Sequence, residues 1–281
     1  MDGGNPVRLK DATVKDALKK GVGLLLVCLF FLTSALAARS AVAEELVSDK
    51  WQFAVTPYLW ALSLSGDVTV KGFQSEADMS FRDIWDNLNF AAMVEIEARK
   101  NRWGVFVNPM FSQLETSTGR ADLTVDMNII GFGGFYRLGP WPLRTGAGSS
   151  GLVLVTDIYA GGRYTFLKSD IKLDLPNNPR FNDSKNWVDP IVGVRTLWLL
   201  APRWTLFVAG DIGGGGGSSS DFQWMVTGLV GYSFPLLGDD HATVFGGYRA
   251  LGQDYADGSG TSRFEWDETL HGPLLGLAYH F

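Results

Sequence analysis

From Trp51 onward the chain alternates. Segments of about ten residues carry apolar side chains on one face and small, polar or charged side chains on the other, with turn residues between them. Trp51–Ser63 sets Phe53, Val55, Pro57, Leu59 and Ala61 opposite Gln52, Thr56 and Tyr58. Leu88–Arg99 sets Ala92, Val94, Ile96 and Ala98 against Met93, Glu95, Glu97 and Arg99, and Trp103–Leu114 carries Asn108 on its polar face. In Ala121–Arg137, Leu123, Val125, Met127 and Ile129 stand against Thr124, Asp126 and Asn128. Leu152–Lys168 presents Asp157, Tyr159, Gly161 and Arg163 on one face, and Asn186–Leu199 presents Asp189, Gly193 and Arg195. Trp204–Ile212 carries Asp211, Phe222–Phe234 follows, and His241–Leu251 carries Arg249. The last segment, Gly272–Phe281, puts Leu275, Leu277, Tyr279 and Phe281 on one side and Leu274, Gly276, Ala278 and His280 on the other.

Period-two alternation of this kind predicts an all-β, antiparallel fold. A soluble sandwich would leave the charged face in water. A transmembrane β-barrel would turn that face into its lumen and its apolar face to lipid, since a closed sheet satisfies every backbone group without water. Trp51, Trp60, Trp103, Trp187, Trp198, Trp204, Trp224, Tyr232, Phe234, Tyr279 and Phe281 cluster at strand ends. That placement suits the aromatic belts of a membrane interface better than a soluble core. The expected fold is therefore an antiparallel transmembrane β-barrel of ten strands, with eight or twelve as the neighbouring counts. Lys100–Arg102, Ala201–Arg203 and Pro235–Asp240 fall on the side of the carboxy terminus. The longer connections Ser65–Asn87, Ser169–Lys185, Gly213–Asp221 and Gly252–Leu270 fall on the other, and Ser65–Asn87 has room for a short hairpin or a helical turn. Short turns on one rim and long loops on the other fit a barrel, although Leu138–Gly151 is long for its side.

The amino terminus follows a different rule. Arg8, Lys10, Lys15, Lys19 and Lys20 precede the apolar run 21–37, and Ala41-Val42-Ala43 supplies a small-residue cleavage site. This is the pattern of a secretory signal peptide, residues 1–43, leaving one barrel domain over residues 44–281. Cys28 lies inside the apolar run and Val27 before it is bulky, so it is not a lipoprotein cysteine. Cleavage would remove the only thiol, and with it any disulfide or cysteine-metal chemistry. The chain is acidic, net −6, and loses six Lys/Arg against three Asp/Glu with the leader. That balance argues against a nucleic-acid partner, which calls for a basic surface.

The polar faces gather Glu95, Glu97, Arg99, Asp126, Asp157, Arg163, Asp189, Arg195, Asp211 and Arg249 into one expected lumen network. A ten-stranded lumen is narrow, so acids and arginines within it should pair and brace the barrel. Any residual route would be selected by those charges. His241, His271 and His280 are scattered, without metal-ligand spacing. Gly213–Gly217 lacks the Lys-Ser/Thr of a phosphate loop. No cofactor, metal site or catalytic residue is expected, and an enzyme would need a nucleophile brought beside His271.

From Trp187 onward the chain resembles a widespread, poorly characterised family of Gram-negative outer-membrane β-barrel proteins. The matching pieces are Trp187–Arg195, Gly210–Gly214, Ser220–Trp224, Gly246–Arg249 and Gly272–Gly276, with Pro57–Trp60 earlier. Gly215-Gly216-Gly217 departs from it, standing where the family pattern has an aromatic. The ending, Gly276, Tyr279 and Phe281 on an alternating strand, is similar to the closing strand that barrel-assembly machinery reads in this class. The resemblance implies an outer-membrane location, contact with outer-membrane lipid and assembly machinery, and no assigned catalytic residue. The expected role is structural, or a narrow porin-like route for small solutes, in a monomer. The alternatives are a binding or adhesion protein acting through Ser65–Asn87 and Gly252–Leu270, and a barrel hydrolase using His271.

Overall fold

A computed structural model describes residues 47–281 apart from 71–72, 77, 119–120, 144–151, 174–179 and 236–240. The signal-peptide expectation falls on residues outside that set. The strands are β1 (Gln52–Trp60), β2 (Ser63–Val70), β3 (Phe73–Glu76), β4 (Leu88–Lys100), β5 (Trp103–Thr118), β6 (Ala121–Leu143) and β7 (Leu152–Leu173). After them come β8 (Arg180–Ala201), β9 (Trp204–Gly213), β10 (Phe222–Pro235), β11 (His241–Asp257) and β12 (Phe264–His280). One short helix, α1 (Phe81–Asp86), lies between β3 and β4.

Each strand from β4 to β12 pairs antiparallel with its sequence neighbour, and β1 pairs with both β4 and β12. That ring closes a ten-stranded barrel, with β2 and β3 as a hairpin added along the upper half of β12. The last residue is tied in as well: Phe53 and Phe281 exchange backbone hydrogen bonds of 3.0 and 3.1 Å. Both chain ends of the barrel and the β4–β5 and β8–β9 turns share one rim. At the tight β4–β5 turn Asn101 takes φ 55, a left-handed conformation that Asn tolerates better than most residues.

Several strands run further than the alternation predicts. β7 and β8 extend through much of the expected loop Ser169–Lys185, and β11 and β12 consume most of Gly252–Leu270. Only Gly258–Arg263, with one 3₁₀ turn, connects β11 to β12. Leu138–Leu143 joins β6 and pairs with the start of β7, so the connection expected over 138–151 is shorter on the described side. The excursion after β1 contains both a hairpin and a helical turn.

The extra length escapes the pattern because the pattern inverts along the barrel. In the lower part of β12, Leu275 and Leu277 face outward and are exposed. Higher on the same strand Phe264, Trp266 and Leu270 are buried inward, while Asp267 faces out. An outer face that leaves lipid for water must exchange apolar for polar side chains, and the inner face is then free to become a core. Tyr58, Trp60, Met110, Met127, Ile129, Leu167, Leu251, Tyr255 and Leu274 join these residues in one apolar cluster inside the upper barrel.

Candidate functional site

The lumen is built in layers. Nearest the rim of the chain ends, Asp157 on β7 accepts from Arg137 Nε and Nη2 at 2.8 and 3.0 Å and from Arg195 Nε at 3.0 Å. Arg195 also reaches Glu97 at 2.8 Å and lies 4.1 Å over the Phe135 ring. Arg99 lies within electrostatic reach of Glu97, Asp157, Arg137 and Arg195. Above this layer Asp211 receives both guanidinium nitrogens of Arg163 at 2.9 and 3.0 Å, the Tyr159 hydroxyl at 2.9 Å and Gln223 Nε2 at 3.0 Å. Arg163 also donates to Gln223 Oε1. Facing it, Tyr58 donates to Asn108 and Asn108 to Glu95, each at 2.6 Å, and Arg249 reaches Thr227 and Tyr58. A cavity of about 90 Å³ remains between these groups. Higher still Asp189, fully buried, accepts from the Ser220 backbone and hydroxyl at 2.6 and 2.9 Å and from Gln253 and Trp187 at 3.2 Å each. Ser220 belongs to the β9–β10 loop, so Asp189 pins that loop into the barrel.

Nine of the ten expected network residues face the lumen; Asp126 does not. Asp126 pairs across from Gln113 on the outer face, accepts from its Nε2 at 2.6 Å and stands 4.0 Å from Lys168 Nζ. Its neighbours Met127 and Ile129 are buried inside instead. The apolar side of β6 is inward here because this stretch lies in the inverted upper part. The same reversal hides Arg137, which the sequence reading leaves out and the lower layer needs. Trp60 and Trp187, expected in the aromatic belts, are also inward: Trp60 donates to Gly272 O at 3.2 Å, and Trp187 stacks on Tyr255 at 4.2 Å. At the terminal strand Tyr279 pairs across from Val55 and Ala242. Gly276 has no room for a side chain, since a Cβ would lie 2.4 Å from the Phe245 ring. His271 lies on the outer wall, its Nδ1 2.7 Å from the Tyr248 hydroxyl. Ser63 stands directly across from it, but the Ser63 hydroxyl accepts from Phe81 N–H at 2.9 Å, while the His271 ring is bonded to Tyr248. No metal-holding group of His, Cys, Asp and Glu occurs among the described residues.

Above the polar layers the interior is of another kind. A cavity of about 790 Å³ is lined by Trp60, Leu62, Leu64, Met93, Leu114, Met127, Leu167, Trp266 and Leu274, with Ile84, Phe81 and Trp85 of α1 along one side. Lys168 and Lys185 stand at its outer edge. Lys185 is held by Asp257 at 2.6 Å and lies over the Phe264 ring. Within the wall the indole N–H of Trp266 has no hydrogen-bond partner among the described residues. Nothing in the alternation announced this space, because it is made by side chains from β1, β2, β4–β8, β12 and α1 that come together only on closure.

The outer surface is apolar around its girth: Ile96, Val107, Phe132, Ile158, Val192, Val208, Val230, Val244 and Leu277 are all exposed. At the lower rim Trp51, Trp103, Trp204 and Phe281 are exposed, with Trp103 against Tyr136 at 4.8 Å and Trp204 against Tyr232 at 5.1 Å. So much apolar surface around a barrel is stable only in lipid. These features define a bacterial outer-membrane β-barrel protein. No protein-family model matches the sequence, and no curated protein matches it. Among solved structures the chain is similar to Ail, the attachment invasion locus protein of Yersinia pestis, at 10% identity over 83% of this chain and 99% of that one, TM-score 0.34. It is also similar to a FadL homologue of Pseudomonas aeruginosa (7%, 82% and 89%, TM-score 0.27). A third is OmpT, an outer membrane protein of Vibrio cholerae (9%, 83% and 98%, TM-score 0.23). Likeness this distant does not bear on function.

Proposed function

We propose that this barrel binds an apolar or amphipathic small molecule in the upper half of its interior, and is not an open aqueous pore. The observation that carries this reading is the apolar cavity of about 790 Å³ standing directly above a polar lumen crossed by the Arg137–Asp157, Arg163–Asp211 and Arg195–Glu97 ion pairs. Ligand sites commonly measure about 300–1,000 Å³, with apolar walls and a few polar groups that orient the ligand. Here the Trp266 N–H, without a partner among the described residues, suits a carbonyl-bearing head on an apolar body, with Lys168 and Lys185, each beside an acid, at the edge. No chemical step belongs to this reading. The hydrolase alternative would need His271 to matter for turnover, and His271→Ala tests it.

Native mass spectrometry of the purified barrel released from micelles after exposure to stearate is the test. One bound stearate is expected, lost when Leu114→Trp and Met127→Trp fill the cavity together. Equal stearate retention by the filled variant would overturn the reading.

A further inference from the structure

The cavity is not enclosed by a complete wall. β1 is paired with β4 only from Gln52 to Pro57, opposite Arg99 to Val94. Beyond Pro57, which brings no N–H to the ladder, β1 and then β2 continue along β12 alone. The other edge of β2 is taken by β3 and by Met79, whose N–H and C=O bond those of Leu64 at 2.8 and 2.9 Å. Residues 88–93 of β4 pair only with β5. The sheet is therefore closed below Pro57 and has no β1–β4 pairing above it, among the described residues.

The cavity passes through that seam. Its lining includes Trp60 and Leu274, which face inward, and Leu59 and Leu275, which face outward and are 58% and 60% exposed. Leu59 and Leu275 are cross-strand partners within the apolar girth of the barrel. A cavity touching both sides of one wall opens through it. α1 stands at the opening: Ile84 is buried in the core cluster, while Phe81 and Trp85, their rings tilted against each other at 5.6 Å, are exposed. The helix is fixed to the barrel wall by the hydrogen bond from Phe81 N–H to Ser63.

We infer that the occupant of the cavity is the acyl chain of an outer-leaflet lipid, entering sideways between β1 and β4 past α1. The inference rests on the binding function proposed above and adds its ligand class and route. An opening at Leu59 and Leu275 faces hydrocarbon, so what lies against it in the membrane is lipid chain. A chain that slides through it exchanges one apolar surface for another, which water-borne entry over the charged rim does not allow. The headgroup would stay outside the seam, beside α1.

The experiment places a benzoylphenylalanine photocrosslinker at Leu167, on β7 across the barrel from the seam, in the full chain reconstituted in phosphatidylcholine vesicles. Irradiation is expected to give a phosphatidylcholine adduct. Ala91→Trp, which fills the β4 edge of the seam, should lower its yield at least fivefold. Ser63→Ala, which unfastens α1, should raise it. Each variant is first checked for the gel mobility of a closed barrel. Stearate added to the same vesicles should crosslink in all three. A stearate adduct without a phospholipid adduct, or phospholipid yields that neither substitution moves, would overturn the lateral route and leave the binding function standing. Absence of both adducts would remove the two together.

Discussion

Asp157 is where a single residue matters most to the lower lumen. Its carboxylate takes two hydrogen bonds from Arg137, and it shares Arg195 with Glu97. Removing one partner of a buried ion pair leaves an uncompensated charge, at a cost of about 3–5 kcal/mol. Asp157→Asn should therefore lower the urea unfolding free energy of the reconstituted barrel by about that amount. The double variant Asp157→Asn, Arg137→Met should recover part of the loss, because it also removes one of the two guanidinium groups that Asp157 pairs. A single variant as stable as the parent would mean that water reaches this layer freely. The ion-pair residues on β4, β7, β8 and β9 are legible in the sequence because they interrupt an otherwise small or aromatic inward face. Their pairing is not legible, since Asp157 and Arg195 meet through the β7–β8 register and Arg163 reaches Asp211 from two strands away. Asp126 shows the converse: alternation gives two faces but no label for inside and outside, and apolarity mislabels them wherever the wall has left the membrane.

At the scale of elements, α1 depends on its first turn. Ser80 caps the helix, and its hydroxyl at 2.6 Å and backbone N–H at 3.0 Å both donate to Asp83. Those bonds, the hydroxyl first, hold the Asp83 carboxyl below its ordinary value. A carboxyl depressed in the folded state contributes stability above its unfolded pKa, and the contribution fades as pH falls through the lowered value. Amide exchange in Phe81–Asp86 should thus stay protected from neutral pH down to the ordinary carboxylate range and loosen below it. Ser80→Ala should loosen the helix at every pH. Protection that follows no such profile would mean that packing of Ile84 alone holds α1 in place. A local motif of this kind can be read from Ser80-Phe81-Arg82-Asp83, as the helical turn allowed for in Ser65–Asn87 indicates. The seam beside it cannot, because Pro57 marks an end of pairing only once β4 is known to be its partner.

For the whole molecule, the polar layers and the cavity divide one barrel into two functions with opposite demands on water. Arg163 with Asp211, and Arg195 with Asp157 and Glu97, span the lumen from different strands, so the layers also act as cross-braces of the ring. A brace that is also a seal predicts two results together. The parent barrel should migrate faster unboiled than boiled on a denaturing gel, as a closed sheet resisting detergent does, and should give no stepwise conductance in planar bilayers. Arg163→Ser with Arg195→Ser should keep some of the mobility shift yet pass current, and that current should prefer cations, because Glu97 and Asp211 then lose the arginines that pair them and Asp157 keeps only Arg137. Defined conductance steps from the parent would restore an aqueous route for small solutes and make the paired charges a selectivity filter. A double variant that keeps its mobility shift and stays silent would place the seal elsewhere, in the apolar upper half, where the ligand is proposed to sit.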